Sequence, residues 1–224
     1  MKDTSKVANI WNKQLGEENS LAPHEHSFFS ILLEIAKSAQ KILEVGVGRG
    51  RMIKILQKNG IKADFFSVDL WACEVQGCKV YQSLGDARCL PFKDNSYDFV
   101  YSLGVVEHFP ETATAIFECC RVVKDGGYVL VSTPRLSLHT IVRQIIFFVK
   151  RESQKGTFEQ VRGRNLTVQT IKSFFQDAGM TILYAGASGV FIPGFGSLGI
   201  SHLEKILPKS LLGAYLYCVG KKGG

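Results

Sequence analysis

Apolar and polar positions change period several times along the chain. Along HEHSFFSILLEIAKS, residues 24–38, Phe28, Leu32, Ile35 and, just past it, Ala39 recur at helical spacing behind Pro23, which suits a first helical turn. KILEV, 41–45, is short and apolar and reads as a buried strand; RGRMIKILQKNG then returns to helical spacing and stops at Gly60. KADFFSVDL predicts a second strand ending at Asp69, and YQSLGDARCLPF a short strand ending near Asp86. SYDFVYSLGVVEHF holds a fourth strand over residues 98–102. TATAIFECCRVVKDGG reads as a helix closed by Gly126 and Gly127, and YVLVSTP as a fifth strand ended by Pro134.

Strands alternating with helices across short turns imply a parallel sheet covered by helices on both faces. Such sheets bind ligands at the carboxyl ends of their strands. Glu44, Asp69, Asp86 and Ser102 all fall at expected carboxyl ends. Further on, LSLHTIVRQIIFFVK, 136–150, predicts a highly apolar helix too short to span a bilayer. LTVQTIKSFFQDAG predicts an amphipathic helix closed by Gly179, and MTILYAGAS and AYLYCVGKK predict strands. The stretch between those strands is glycine-rich and then helical. With no repeat and no Pro/Ser linker, the expectation is one domain over residues 1–224, with an N-terminal helical cap over 1–40 and an inserted lid over 136–165.

An apolar content of 46 % and a charged content of 21 % are those of a globular protein with a real core. The six cysteines, at 73, 78, 89, 119, 120 and 218, form no CxxC pair, and MKDTSKVANIWNKQLGEENS is too polar for a signal peptide. Reduced thiols and a cytoplasmic location are therefore expected. The net charge of +7 is lopsided: residues 136–224 carry 11 basic and 4 acidic groups, whereas residues 1–135 carry 16 of each. That excess is either a solvated basic face or a contact for an anionic partner.

The candidate chemistry starts at the glycines. Gly46, Gly48 and Gly50 let the chain turn sharply, and the helix that follows offers free N–H groups to a negative group. A dinucleotide fingerprint would need glycine where Arg51 stands. Residues 42–50, with Glu44 two positions before the first glycine, instead resemble motif I of class I S-adenosylmethionine-dependent methyltransferases. LPFKDNSYDFVYSLGVVEHF and ECCRVVKDGGYVLVSTP resemble the fourth- and fifth-strand segments of the quinone-biosynthesis-like (methyltransferase type 11) subgroup. The resemblance implies a Rossmann-like, mostly parallel seven-stranded sheet with an antiparallel last strand, and S-adenosyl-L-methionine as cofactor. It implies Asp69, with Leu70 beside it, at the ribose hydroxyls and Asp86-Ala87 at the adenine. The glycine loop, with Glu44 holding it, would take the methionine part, and Ser102, Leu103 and Gly104 would line the path to the sulfonium.

Methyl transfer to a hydroxyl also needs a proton acceptor. His108, just past the fourth strand, leads the candidates over His24, His26, His139 and Glu107, although Glu107-His108 equally suits a bracing role. Relatives that carry an ExxEH metal site have Glu where this chain has Gly104, so no catalytic metal is expected. The leading reading is transfer to oxygen on a small-molecule or lipid-like acceptor. An apolar segment at 136–150 beside a basic loop suits an amphiphilic, anionic acceptor and peripheral contact with a membrane surface. The loops of base-modifying enzymes are absent, which disfavours nucleic acid. The alternatives are an RNA or protein methyltransferase docking through the basic C-terminal region, or a catalytically silent cofactor-binding module. Oligomeric state is left open.

Overall fold

Among the described residues, seven strands form one sheet and four α-helices lay their apolar faces on it. A computed structural model describes residues 21, 25–71, 75, 77–135, 166–190 and 213–224. Helix α1 (His26–Ser38) is followed by β1 (Lys41–Val45), α2 (Arg51–Lys58), β2 (Asp64–Asp69), β3 (Tyr81–Leu84) and β4 (Tyr97–Leu103). Helix α3 (Thr112–Val122), β5 (Val123–Pro134), α4 (Val168–Asp177), β6 (Met180–Val190) and β7 (Gly213–Lys222) complete the order. The seven strands lie as β3-β2-β1-β4-β5-β7-β6. Pairing is parallel from β3 to β5, and β7 is antiparallel to both β5 and β6.

Alternation along the strands sorts the core onto two faces. Ile42, Phe65, Phe99, Tyr101 and Leu130 pack with Phe28, Leu32 and Ala36 of α1 and Met52, Ile53 and Leu56 of α2. Leu43, Val45, Val68, Val100 and Val131 pack with Ile116 and Cys119 of α3 and Ile171 and Phe175 of α4. The stripe of α1 thus runs Phe28, Leu32, Ala36, not through Ile35 and Ala39, which are only partly buried. Thr167 caps α4 by accepting from the Thr170 amide at 3.0 Å.

One boundary differs from expectation. Helix α3 ends at Val122, before the glycines, and β5 already begins at Val123. The register with β4 then shifts between Tyr97 and Phe99, where Tyr97 faces Val123 and Phe99 faces Tyr128. The glycines serve this excursion: a Cβ on Gly127 would lie 2.8 Å from the Asp98 carbonyl oxygen. Arg121 fixes the loop before β4, donating to the carbonyls of Leu90 and Phe92 and to Glu118 and Asp94.

The expected lid at 136–165, the cap up to residue 20, His24, His139 and all of 191–212 lie outside the described residues. Cys78, Cys89, Cys119, Cys120 and Cys218 are free thiols. No helix among the described residues is long and apolar enough to cross a membrane.

Lys222, at the end of β7, closes the C-terminus of α3. Its ammonium donates to the carbonyls of Cys120 (3.1 Å), Arg121 (3.4 Å) and Val123 (3.0 Å) and to Asn95 Oδ1 (2.8 Å). Lys222→Met strands these carbonyls and should cost about 1–3 kcal/mol of unfolding free energy. Urea denaturation checks this; an unchanged midpoint would show that water replaces the ammonium.

Candidate functional site

The site grows from the carboxyl end of β1. There the backbone turns left-handed, with φ 81° at Gly46 and 69° at Gly50. Neither position has room for a side chain. A Cβ on Gly46 would lie 2.2 Å from Val105 Cγ2, and one on Gly50 would lie 2.3 Å from Val75 Cγ1. The Gly46 amide donates to the Val68 carbonyl of β2 and the Gly50 amide to the Val47 carbonyl, both at 2.8 Å. Gly50 caps α2 without a side chain, so the positive end of that helix faces the turn uncovered.

Below the turn sits a buried acid. Glu44 stands in register with Tyr101 across the β1–β4 pair, and the tyrosine hydroxyl donates to Glu44 Oε2 at 3.0 Å. Burial pushes the Glu44 carboxyl up to about 8, outweighing the Tyr101 bond and the Arg51 charge, which pull it down. Burial, with Glu44 beside it, drives the Tyr101 hydroxyl well above its ordinary value. Arg51, first in α2, forks onto both carboxylate oxygens of buried Glu25, at the start of α1.

Asp69 ends β2 one strand over. Its Oδ2 accepts from the Gly48 amide at 3.1 Å and its Oδ1 from the Trp71 amide at 3.4 Å. Burial raises its carboxyl against these backbone bonds. The buried indole Nε1 of Trp71 has no hydrogen-bond partner among the described residues. Leu70 between them is 39 % exposed.

Asp86 follows β3 in a turn closed by the bridge to Cys89. Arg88 folds back on it: Nε reaches Oδ1 at 3.0 Å, Nη2 reaches Oδ2 at 2.7 Å, and the Arg88 amide donates to Oδ1 at 2.8 Å. These bonds hold the Asp86 carboxyl below its usual range. Ala87 is buried in the core.

The end of β4 completes the row. Ser102 is buried and donates to the Val45 carbonyl at 3.1 Å, so its hydroxyl braces β1 against β4. Leu103 is partly buried, and Gly104 (φ 71°) donates its amide to the Ser132 carbonyl at 2.8 Å. Among the described residues, a Cβ on Gly104 would meet only Glu107 Oε1, at 3.7 Å. Glu107 is buried, burial pushes its carboxyl up to about 8, and its Oε2 has no hydrogen-bond partner among the described residues. His108 Nε2 lies 3.8 Å from Glu107 Oε1.

Strand register brings the expected residues into one row. Val45 faces both Val68 and Ser102, and Asp69 faces Leu84, two residues before Asp86. Four residues of the site lay outside the sequence reading. Tyr101 and Arg88 had local signals, as the residue before Ser102 and as a base two positions after an acid in a turn. Glu25 and Glu111, which also accepts from Arg88, had none, because their partners lie 26 and 23 residues away.

Residues 43–131 match the family described as "Methyltransferase domain". A phthiotriol/phenolphthiotriol dimycocerosates methyltransferase of Mycobacterium ulcerans is 27 % identical over 121 residues, 51 % of this chain and 45 % of the relative. The fatty-acid O-methyltransferase of Mycolicibacterium smegmatis is 27 % identical over 162 residues, 65 % of this chain and 59 % of the relative. The chain thus spans about half the length of these curated relatives. An S-adenosylmethionine-dependent methyltransferase of Mesorhizobium loti shares the fold, with a TM-score of 0.63 at 15 % identity over 89 % of this chain and 98 % of that one.

The two buried glutamates set a pH dependence. Their carboxyls rise from 4.5 when unfolded to about 8 when folded. The folded state then holds protons that the unfolded chain has released, so stability should fall as pH rises from about 4.5 to about 8. Glu44→Gln should flatten that fall. Urea titrations of the ligand-free proteins at both ends of the range check this, and identical slopes would mean that Glu44 ionises freely.

Proposed function

We propose that this chain, which belongs to the class I S-adenosylmethionine-dependent methyltransferases, carries a methyl group to an oxygen atom of a small, lipid-like acceptor. The observation that carries the reading is the row of strand ends, with Glu44, Asp69, Asp86 and Gly104 side by side around one glycine turn.

The residues present fit the cofactor. Asp69 keeps lone pairs for a ribose diol, and the unpartnered Trp71 indole beside it suits a polar ligand. Asp86 would accept from the adenine amine. The uncapped start of α2, at Gly46, Gly48 and Gly50, would favour the carboxylate of the methionine part. Glu44 would take the ammonium, which would draw its carboxyl back toward the ionised form. Ser102 keeps β4 tight against β1, and Leu103 and the bare backbone of Gly104 border the sulfonium.

When bound, the cofactor supplies an electrophilic methyl group on a sulfonium. What the chain adds is mainly alignment, which can be worth roughly 7–11 kcal/mol. A hydroxyl acceptor would give its proton to His108, and the imidazolium would draw the Glu107 carboxyl, 3.8 Å away, toward its ionised form. Proton removal of this kind contributes about 10²–10⁴-fold, and a carboxylate acceptor does not need it. Similarity to a fatty-acid O-methyltransferase and to a phthiotriol/phenolphthiotriol dimycocerosates methyltransferase supports an apolar acceptor.

The test is transfer of label from methyl-labelled S-adenosylmethionine to a panel of a long-chain fatty acid, prenylated hydroxybenzoates and small neutral diols. Label is expected on the first two classes, with and without EDTA. Preference for the diols, or rescue by magnesium after chelation, would overturn the acceptor class or the metal-free chemistry. In calorimetry, Asp69→Ala should weaken S-adenosylhomocysteine binding by about 1–3 kcal/mol, the cost of an unpaired diol. Equal affinities would remove Asp69 from the site.

A further inference from the structure

The pairing of Asp86 with Arg88 is closer than an adenine-reading carboxylate by itself requires. Three donors of one residue converge on it: the Arg88 amide and Nε on Oδ1, and Nη2 on Oδ2, with Nε also 3.2 Å from Oδ2. Arg88 is itself anchored elsewhere. Its Nη1 donates to Glu111 Oε2 at 2.7 Å, just before α3, and its guanidinium lies 5.0 Å from the centroid of the buried Phe109 ring. The carboxylate of a short turn is thereby tied to the segment that follows β4.

A carboxylate offers about four lone-pair sites. The amide adds to Oδ1, Nη2 to Oδ2, and Nε is shared between them at 3.0 and 3.2 Å, so three N–H donors meet the four sites and one, on Oδ2, is left for a further donor. A fixed, ionised carboxylate with one open site accepts from an amine and repels a carbonyl oxygen. A freely turning one could let water mediate either.

We propose that Arg88 is the positioning residue that makes the adenine subsite selective for a 6-amino purine, by locking Asp86 so that one oxygen lone pair faces the exocyclic amine. The proposal rests on the cofactor reading above and adds to it the residue that sets base selectivity. Arg88 touches no ligand; it acts through Asp86. Lysine cannot replace it, because an ammonium lacks the planar fork that meets both oxygens.

The experiment compares S-adenosylhomocysteine with S-inosylhomocysteine, which carries a carbonyl where adenine has the amine, by calorimetry on the full chain. The unmodified protein should bind the adenosyl ligand at least about 30-fold tighter. In Arg88→Met that ratio should fall below about 5-fold, and Arg88→Lys should lose most of it while keeping the charge. Asp86→Asn, which can present either an amide N–H₂ or an oxygen, should also lose it. A purely structural role for Arg88 weakens both ligands equally, so an unchanged ratio in Arg88→Met and Arg88→Lys overturns the proposal. Failure of the unmodified protein to bind S-adenosylhomocysteine would instead overturn the cofactor reading itself.

Discussion

Everything in the site hangs on the left-handed turn after β1. The strand lies mid-sheet between β2 and β4, so the turn must clear two neighbours before α2 can start. Only a backbone without Cβ fits, because Val105 and Val75 already occupy the space a side chain would take at Gly46 and Gly50. Those contacts also make the turn an assembly point. Val105 comes from the loop after β4, Val75 from the loop between β2 and β3, the Val68 carbonyl from β2, and Glu25 reaches Arg51 from α1. A rigid cradle for a ligand follows from packing rather than from the loop's own preference.

The acids along the parallel strands fall into two electrostatic kinds. Asp86 and Asp98 are met by cations, Arg88 and Lys124, and are held low. Asp98 also ties Lys124 and the amides of Gln40 and Lys41 into one joint at the start of β1, so its role is structural. Glu44 and Glu107 are buried without such a partner and are pushed up. A buried acid that lacks a matched base costs stability in the ligand-free protein. In the proposed function both sit where a positive charge would arrive or form, at the ammonium and at the imidazole. The fold tolerates that cost because the sheet around it is well packed on both faces.

Several family-like segments act as scaffold. The LPF stretch is pinned through its carbonyls by Arg121 of the ECCRVV helix, and the Leu90 amide donates to Glu118 at 2.7 Å. Lys222 ties the far end of β7 to the same helix. These bonds hold the turn carrying Asp86 and Arg88 at a fixed place beside the β3 end. The placement of the Asp86–Arg88 turn thus depends on residues spread over more than half the chain.

By itself the sequence determined the architecture and the row of candidate residues. Glycine and apolar periodicity are local, and in a parallel sheet every strand must end on the same side, so Glu44, Asp69, Asp86 and Ser102 had to converge. The end of α3 was misread because Gly126 and Gly127 signal a helix stop, yet they serve the excursion inside β5 that follows it. Only the tertiary structure decided the state of each acid. Asp86 meets Arg88 two positions on, but whether the other carboxyls find a partner depends on strand register and on contacts between residues 23 to 57 positions apart, as with Arg88–Glu111, Arg51–Glu25 and Tyr101–Glu44. Electrostatic energy follows distance and burial in space, and neither is written in local spacing.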